Sequence, residues 1–99
     1  MAKITLLVRA ESDVLRIYAD CESRVAGRGE DFSREVEKTL TLLSRMPRLG
    51  RLVGVPYRRM KLSRFPYSLI YTVESQRVMI QTVVSNYDSL EIILRQLCR

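Results

Sequence analysis

Residues 57–74 read YRRMKLSRFPYSLIYTVE and contain two strand-like runs, residues 57–62 and 67–74. A third run, residues 78–85, follows after the short Ser75-Gln76-Arg77 connection. Runs that are rich in β-branched and aromatic residues, and that are separated by short connections, predict consecutive strands. This part of the chain is therefore expected to form an antiparallel meander.

Upstream of the meander, the pattern predicts one strand followed by two helices. Residues 3–8 are predicted to form a strand that places Ile4, Leu6 and Val8 on one face. Apolar residues then recur at helical spacing from residue 10 to about residue 22, and again up to about residue 45. Gly27 and Gly29 separate the two helices, and Pro47 and Gly50 follow the second one. The expected buried stripe of the second helix is Phe32, Val36, Leu40 and Leu43.

A short third helix is expected after the meander, with Asp88 as its N-cap. Its apolar stripe is Leu90, Ile93, Leu94 and Leu97. The predicted order is β-α-α-β-β-β-α, an α+β fold formed by residues 1–99 as one domain. Because two consecutive helices cannot each bury an apolar stripe alone, we expect a helical hairpin packed on one face of a small antiparallel sheet. The opposite face of the sheet is expected to stay partly open.

The composition excludes several kinds of chemistry. The chain has no histidine, so imidazole cannot serve as a general base or a metal ligand. Cys21 and Cys98 lack the spacing of metal ligands, and each is expected to pack as a small apolar residue. We therefore expect no metal and no cofactor. No apolar run approaches the roughly 20 residues that cross a bilayer, and no secretory signal is recognisable, so we expect a cytoplasmic protein.

The positive charge is concentrated in one segment of the chain. Residues 1–45 contain eight basic and eight acidic side chains, and residues 67–99 contain three of each. The net charge of +6 therefore comes from residues 46–66, which contain no acid. The basic residues of this segment are Arg48, Arg51, Arg58, Arg59, Lys61 and Arg64. Such a field attracts polyanions, either nucleic acid or an acidic protein.

Strand alternation divides the residues of the first meander strand between two faces. Tyr57, Arg59 and Lys61 share one face, and residues 58, 60 and 62 share the other. Cations beside a tyrosine ring suit phosphate contact and base stacking, and they equally suit an acidic peptide. The later aromatic side chains are expected to pack in the core and the sheet. They are Phe65, Tyr67 and Tyr71.

Three segments of the sequence resemble the RelE/ParE superfamily of bacterial type II toxins, and the resemblance extends from about residue 4 to residue 84. The first is Ala10-x-x-Asp13-Val14-x-x-Ile17-Tyr18, and the second is Leu43-x-x-Met46-Pro47-x-x-Gly50-Arg51. The most specific is residues 58–73, where a basic strand, Phe65-Pro66-Tyr67 and an apolar strand follow one another. The resemblance implies a β-α-α-β-β-β scaffold and is closer to the ParE-like branch.

The branches of this superfamily differ in activity, and the resemblance implies three alternatives. A ParE-like toxin would inhibit DNA gyrase, or a gyrase–DNA complex, without hydrolytic chemistry. The residues expected to bind that target are Arg58, Arg59, Lys61 and Arg64. A RelE-like toxin would cleave mRNA on the ribosome, with Arg59 and Lys61 holding phosphate and Tyr87 as a displaced proton carrier. A degenerate member would only bind.

The ribonuclease alternative is disfavoured by three positions. Ser68 stands where the RelE-like branch has an arginine, and the C-terminal positions of that branch fall near Asp88 and Leu94. General acid-base chemistry requires suitable groups within hydrogen-bond reach of the scissile phosphate. Residues 85–88, Ser-Asn-Tyr-Asp, also differ from the His and Arg that many ParE-like chains carry after the last strand.

Both toxin alternatives imply a cognate antitoxin as the partner. Against this positive charge, the resemblance implies an acidic antitoxin segment that folds as it binds. The helical hairpin is the expected docking surface. The residues assigned to it are Leu15, Tyr18 and Leu42.

Overall fold

The computed structural model describes residues 1–97, which form one five-stranded sheet with three helices on its two faces. The elements are β1 (Lys3–Leu6), α1 (Val8–Arg24), α2 (Arg28–Arg45), β2 (Arg51–Gly54), β3 (Tyr57–Lys61), β4 (Tyr67–Glu74), β5 (Arg77–Ser85) and α3 (Leu90–Leu97). The strand order across the sheet is β1-β5-β4-β3-β2. None of these helices is long and apolar enough to cross a membrane.

The predicted α+β fold and its order of elements are confirmed, and the structure adds one strand. β3, β4 and β5 form the antiparallel meander. β2 is the addition: it is a four-residue edge strand that pairs with β3 around the Gly54-Val55-Pro56 turn. β1 lies parallel to β5, so the sheet is mixed, and the expectation of a wholly antiparallel sheet is wrong in this one pairing. β2 was not predicted because its four residues are too few to show alternation, and the strand forms by pairing with β3.

The α1–α2 hairpin packs on one face of the sheet, as expected, and forms the larger core. Phe32 and Leu43 of α2 are fully buried against sheet residues such as Leu69 and Ile80. The rings of Phe32 and Phe65 meet edge to face, with their centroids 5.4 Å apart. The predicted stripe of α2 is confirmed, with Leu40 only partly buried.

The short helix α3 covers part of the opposite face of the sheet. Its buried Ile93 packs against Ile70, Val84 and Tyr57. The expectation that Asp88 caps this helix is wrong. Ser89 directly precedes α3 and accepts a hydrogen bond from the backbone N–H of Ile92. The Asp88 carboxylate instead accepts the backbone N–H of Ser85 at 3.1 Å, which closes the turn before the helix.

The two cysteines were expected to pack as small apolar residues. Cys21, a residue of α1, is buried, which confirms this expectation for that position. Burial raises the pKa of its thiol. Cys98 lies outside the described residues.

Candidate functional site

The four cations predicted to bind the target do not form one cluster. Arg58 points toward the hairpin side of the sheet, and its Nη1 donates to the carbonyl oxygens of Arg48 at 3.1 Å and Gly50 at 2.7 Å. Its guanidinium therefore holds the segment that connects α2 to β2.

Tyr71 also holds the segment that connects α2 to β2. The buried Tyr71 hydroxyl accepts the backbone N–H of Gly50 and donates to the carbonyl oxygen of Pro47, each at 2.8 Å. Burial raises the pKa of Tyr71, while the Gly50 N–H and the nearby Arg58 charge act in the opposite direction. Arg58 and Tyr71 together hold the segment that connects α2 to β2. The hydrogen bonds of the Arg58 guanidinium are thus made to the protein's own backbone.

Arg59 lies on the other face of the sheet, in a hydrogen-bonded group with Ser68 and Asn86. Its Nε donates to Ser68 Oγ at 3.0 Å, and its Nη2 donates to Asn86 Oδ1 at 3.1 Å. The Ser68 hydroxyl donates to the same Asn86 oxygen. Ser68 is fully buried, whereas Arg59 and Asn86 are partly exposed. Sequence reasoning identified Arg59 but missed the contact between Ser68 and Asn86.

Tyr57 shares the face of Arg59, as alternation predicts, but it does not provide a surface for base stacking. Tyr57 is only 9% exposed and packs with Ile70, Val84 and Ile93 beneath α3. Its hydroxyl donates to the carbonyl oxygen of Leu97 at 3.3 Å. The tyrosine therefore attaches α3 to the sheet.

Lys61 is exposed at the end of β3 and lines a groove of about 270 Å³ between β3 and α2. Leu42, which is 39% exposed, and Met60 supply apolar surface in this groove. Lys38 and Arg45 of α2 also line it, together with one acidic side chain, Glu35. The groove therefore combines apolar contacts with a mainly basic rim.

Arg64 lies in the β3–β4 loop beside a second cavity, of about 500 Å³. Its backbone is left-handed, with a φ of 68°, and its carbonyl oxygen accepts a hydrogen bond from Arg28 at 3.4 Å. The Arg28 guanidinium lies 4.1 Å from the centre of the Phe65 ring, which is a cation–π contact. Sequence reasoning missed Arg28, because it belongs to the electrically balanced part of the chain and reaches the loop only through tertiary packing.

The positions associated with RNA cleavage lie in different surroundings. Tyr87 is 87% exposed on the turn after β5. Asp88 accepts a backbone hydrogen bond in the same turn, and Leu94 packs with the apolar residues under α3. Within residues 1–97, no cluster of three or more histidine, cysteine or acidic side chains could hold a metal ion.

The residues assigned to antitoxin binding differ in exposure. Leu15 on α1 is 65% exposed, and Leu42 lines the groove beside β3. Tyr18 is partly buried, and its hydroxyl donates to Glu30 Oε1 at 2.7 Å, which ties α1 to α2. This hydrogen bond and burial raise the pKa of Tyr18.

Comparison with known proteins identifies one family. The family described as the ParE toxin of type II toxin-antitoxin system, parDE, has a sequence model that matches residues 4–86. No curated protein sequence matches the chain.

Two solved structures share the fold at low sequence identity. The chromosomal ParDE system from P. aeruginosa has a chain similar at a TM-score of 0.65 and 18% identity, over 86% of this chain and 96% of that chain. The isolated E. coli RelE toxin is similar at a TM-score of 0.59 and 20% identity, over 100% of this chain and 98% of that chain.

Proposed function

Because this chain belongs to the ParE toxin family of type II toxin-antitoxin systems, we propose that it inhibits DNA gyrase and is neutralised by a cognate antitoxin. We favour gyrase over the ribosome as the target because of the residues at three positions where the RelE-like branch has groups associated with RNA cleavage. They hold a buried hydroxyl at Ser68, a turn-closing carboxylate at Asp88 and a packed aliphatic side chain at Leu94. Cleavage at a phosphate requires positive charge to stabilise the transition state and groups that transfer protons near the reacting atoms. Ser68 supplies no charge, Asp88 supplies a negative charge that is bonded to the backbone, and Leu94 cannot transfer a proton.

The proposed target surface is not one compact cluster: it consists of Arg59 on the face opposite the hairpin, Lys61 at the end of β3 and Arg64 in the β3–β4 loop. Arg59 is partly exposed and held in place by two hydrogen bonds, while Lys61 and Arg64 are exposed. Arg58 contributes indirectly, since its guanidinium holds the carbonyls of Arg48 and Gly50. Fixed and exposed cations of this kind attract the acidic surface of a protein or a protein–DNA complex and speed its association.

The proposed antitoxin site is the groove between α2 and β3. Leu15 and Tyr18, which do not line this groove, are proposed as further contacts on the hairpin. Leu42 and Met60 offer apolar surface, and Lys38, Arg45 and Lys61 supply positive charge around it. An amphipathic acidic segment satisfies both properties. Lys61 belongs to this groove and to the target surface, so a bound antitoxin would cover part of the surface that meets the target.

Purified chain tests the proposal directly in a gyrase supercoiling assay. We expect the wild-type chain to leave plasmid relaxed, and Arg59→Ala and Lys61→Ala to require higher concentrations for the same effect. Arg77→Ala removes an equal charge from an exposed position at the start of β5 and serves as the matched control. Normal supercoiling at every concentration of wild-type chain would reject gyrase as the target.

The main alternative is ribosome-dependent mRNA cleavage with Arg59, Lys61 and Tyr87. Two observations support this alternative: Tyr87 is exposed, and it directly follows Asn86, which accepts a hydrogen bond from Arg59. Translation reactions that contain the chain and a defined mRNA would show cleavage fragments, and Tyr87→Phe would abolish them. A chain that binds antitoxin but neither inhibits supercoiling by gyrase nor cleaves mRNA would be a binding-only member.

A further inference from the structure

Two departures from the family pattern meet at one arginine. Ser68 stands where the RelE-like branch has an arginine, and Asn86 lies in the segment that differs from both branches. They are 18 residues apart in the sequence, yet both contact the guanidinium of Arg59. The register of the sheet explains the meeting, since Ser68 pairs with Val84 near the end of β5. The backbone N–H of Asn86 donates to the carbonyl oxygen of Pro66 at 2.9 Å, which fixes Asn86 beside the β3–β4 loop.

The direction of every hydrogen bond in this group follows from the chemistry of its members. An arginine can only donate, so the Asn86 atom that faces Nη2 must be the carbonyl oxygen. Ser68 Oγ accepts from Arg59 Nε and uses its own hydrogen to donate to that same oxygen. The orientation of the Asn86 amide and the rotation of the Ser68 hydroxyl are therefore determined by Arg59.

The group holds the guanidinium without neutralising it. The two atoms that accept hydrogen bonds from Arg59 are the Ser68 hydroxyl oxygen and the Asn86 amide oxygen, and both groups are uncharged. Within residues 1–97, these bonds occupy two of the five N–H donors that a guanidinium carries. Among the described residues, the other donors and the positive charge of Arg59 are left for a ligand. Holding the side chain in advance reduces the entropy lost on binding.

We propose that Ser68 and Asn86 are positioning residues that hold Arg59 as an oxyanion-binding group. This inference rests on the proposed function only in taking Arg59 as a target contact. The ligand class is an oxyanion, because a guanidinium matches the geometry of paired oxygen atoms.

The experiment measures Arg59 itself in the intact chain. The Arg59 Nε–H resonance, assigned by its disappearance in Arg59→Lys, is followed by NMR while inorganic phosphate is added. We expect slow hydrogen exchange and a saturable shift in the wild-type chain. In Ser68→Ala and Asn86→Ala, we expect faster exchange and a dissociation constant for phosphate raised about fivefold, because one preformed contact is lost.

Asn86→Asp separates positioning from a purely structural role. An aspartate accepts the same two hydrogen bonds, so the fold and the slow exchange of Arg59 Nε–H are expected to remain. Its negative charge beside the guanidinium offsets the charge of Arg59, so phosphate binding and growth inhibition are expected to fall. If Asn86→Asp binds phosphate as the wild-type chain does, or if Ser68→Ala leaves both exchange and binding unchanged, the inference is overturned.

The same variants distinguish a failure of this inference from a failure of the proposed function. If the wild-type chain does not inhibit gyrase, the proposed function fails, while the phosphate titration still decides whether Arg59 is held as inferred. If the wild-type chain inhibits gyrase and Ser68→Ala and Asn86→Ala inhibit it equally well, the function stands and the inference fails. Arg77→Ala, which changes a remote charge, is expected to leave the titration of Arg59 unchanged.

Discussion

The carboxylate of Asp13 on α1 accepts the backbone N–H of Val83 at 3.0 Å, beyond the point where β1 stops pairing with β5. The same oxygen accepts a hydrogen bond from the Thr82 hydroxyl. β1 pairs with β5 only as far as Ile80, so the edge of β5 beyond that residue has no strand beside it in this direction. One helix side chain therefore provides the acceptor that a longer β1 would have provided, and it also covers an exposed strand edge.

Replacement of Asp13 by alanine is predicted to lower the free energy of unfolding by about 1–3 kcal/mol, because the Val83 N–H loses its acceptor in a partly buried site. Urea denaturation measures the loss, and hydrogen exchange at the Val83 amide is expected to become faster. Asp20→Ala, on an exposed part of the same helix, removes only a surface ion pair with Arg24 and is expected to cost less than about 1 kcal/mol. Equal effects of the two substitutions would contradict the role given to Asp13.

Gly50→Ala is predicted to destabilise the chain by loosening the segment that precedes β2. A Cβ at this position would lie 2.6 Å from the Tyr71 hydroxyl oxygen and 2.9 Å from the carbonyl oxygen of Arg59. The anchoring contacts must then shift, at a cost of about 1–3 kcal/mol. Thermal and urea unfolding of the single variants and of Gly50→Ala with Tyr71→Phe measure the coupling. The alanine should cost less in the phenylalanine background, and strict additivity would argue against the contact.

Stability is predicted to decrease at alkaline pH because of the buried tyrosine. Burial raises the pKa of Tyr71 in the folded chain, whereas in the unfolded chain it ionises near its ordinary value of about 10. Between these two pKa values the unfolded chain has lost this proton and the folded chain keeps it. The stabilising contribution is therefore complete below about pH 10 and decreases as the pH rises through the folded-state pKa.

Tyr71→Phe measures that contribution. The variant is expected to be less stable at neutral pH, since the Gly50 N–H loses its acceptor, but its stability should change less steeply with pH above 10. Tyr87→Phe, at an exposed turn position, is the control and should follow the wild-type curve. Tyr18 and Cys21, whose pKa values are also raised, are present in all three chains and do not affect the comparison. Parallel curves for the wild type and Tyr71→Phe would reject this prediction.

Lys61→Glu is predicted to weaken antitoxin binding without unfolding the chain. The substitution places a negative charge at the rim of the groove where an acidic segment is proposed to dock. We expect the dissociation constant of the cognate antitoxin to rise about tenfold at low salt and less at high salt, because salt screens exposed charges. Calorimetry at two salt concentrations measures the change. Arg77→Glu makes the same charge reversal at the start of β5, and an equal loss there would mean that net charge alone determines binding.

Much of the fold could be read from local pattern. The stripe of Phe32, Val36 and Leu43 predicted the buried face of α2, and alternation correctly separated Arg58 from Arg59. These properties depend only on the period of a helix or a strand, so a single sequence contains them. β2 was missed because an exposed edge strand of four residues has no such period and forms by pairing with β3.

The surroundings of the site residues could not be read in the same way. Asn86 reaches Arg59 because β4 and β5 pair in one particular register, including an irregularity between Ile70 and Tyr71. Arg28 reaches Phe65 because α2 packs beside the β3–β4 loop. Asp88 was predicted to cap α3, but its carboxylate instead accepts a hydrogen bond from the backbone N–H of Ser85.

The amino-acid sequence alone was sufficient for the fold class, the order of most elements and the basic segment, because periodicity, turn residues and charge are local properties. The tertiary structure decided which cations are used internally and which remain exposed. Arg58 binds backbone carbonyls, Arg59 is held by two neutral side chains, and Lys61 faces a groove. Each of these outcomes depends on contacts between segments distant in the sequence, where hydrogen-bond geometry and burial select the partner.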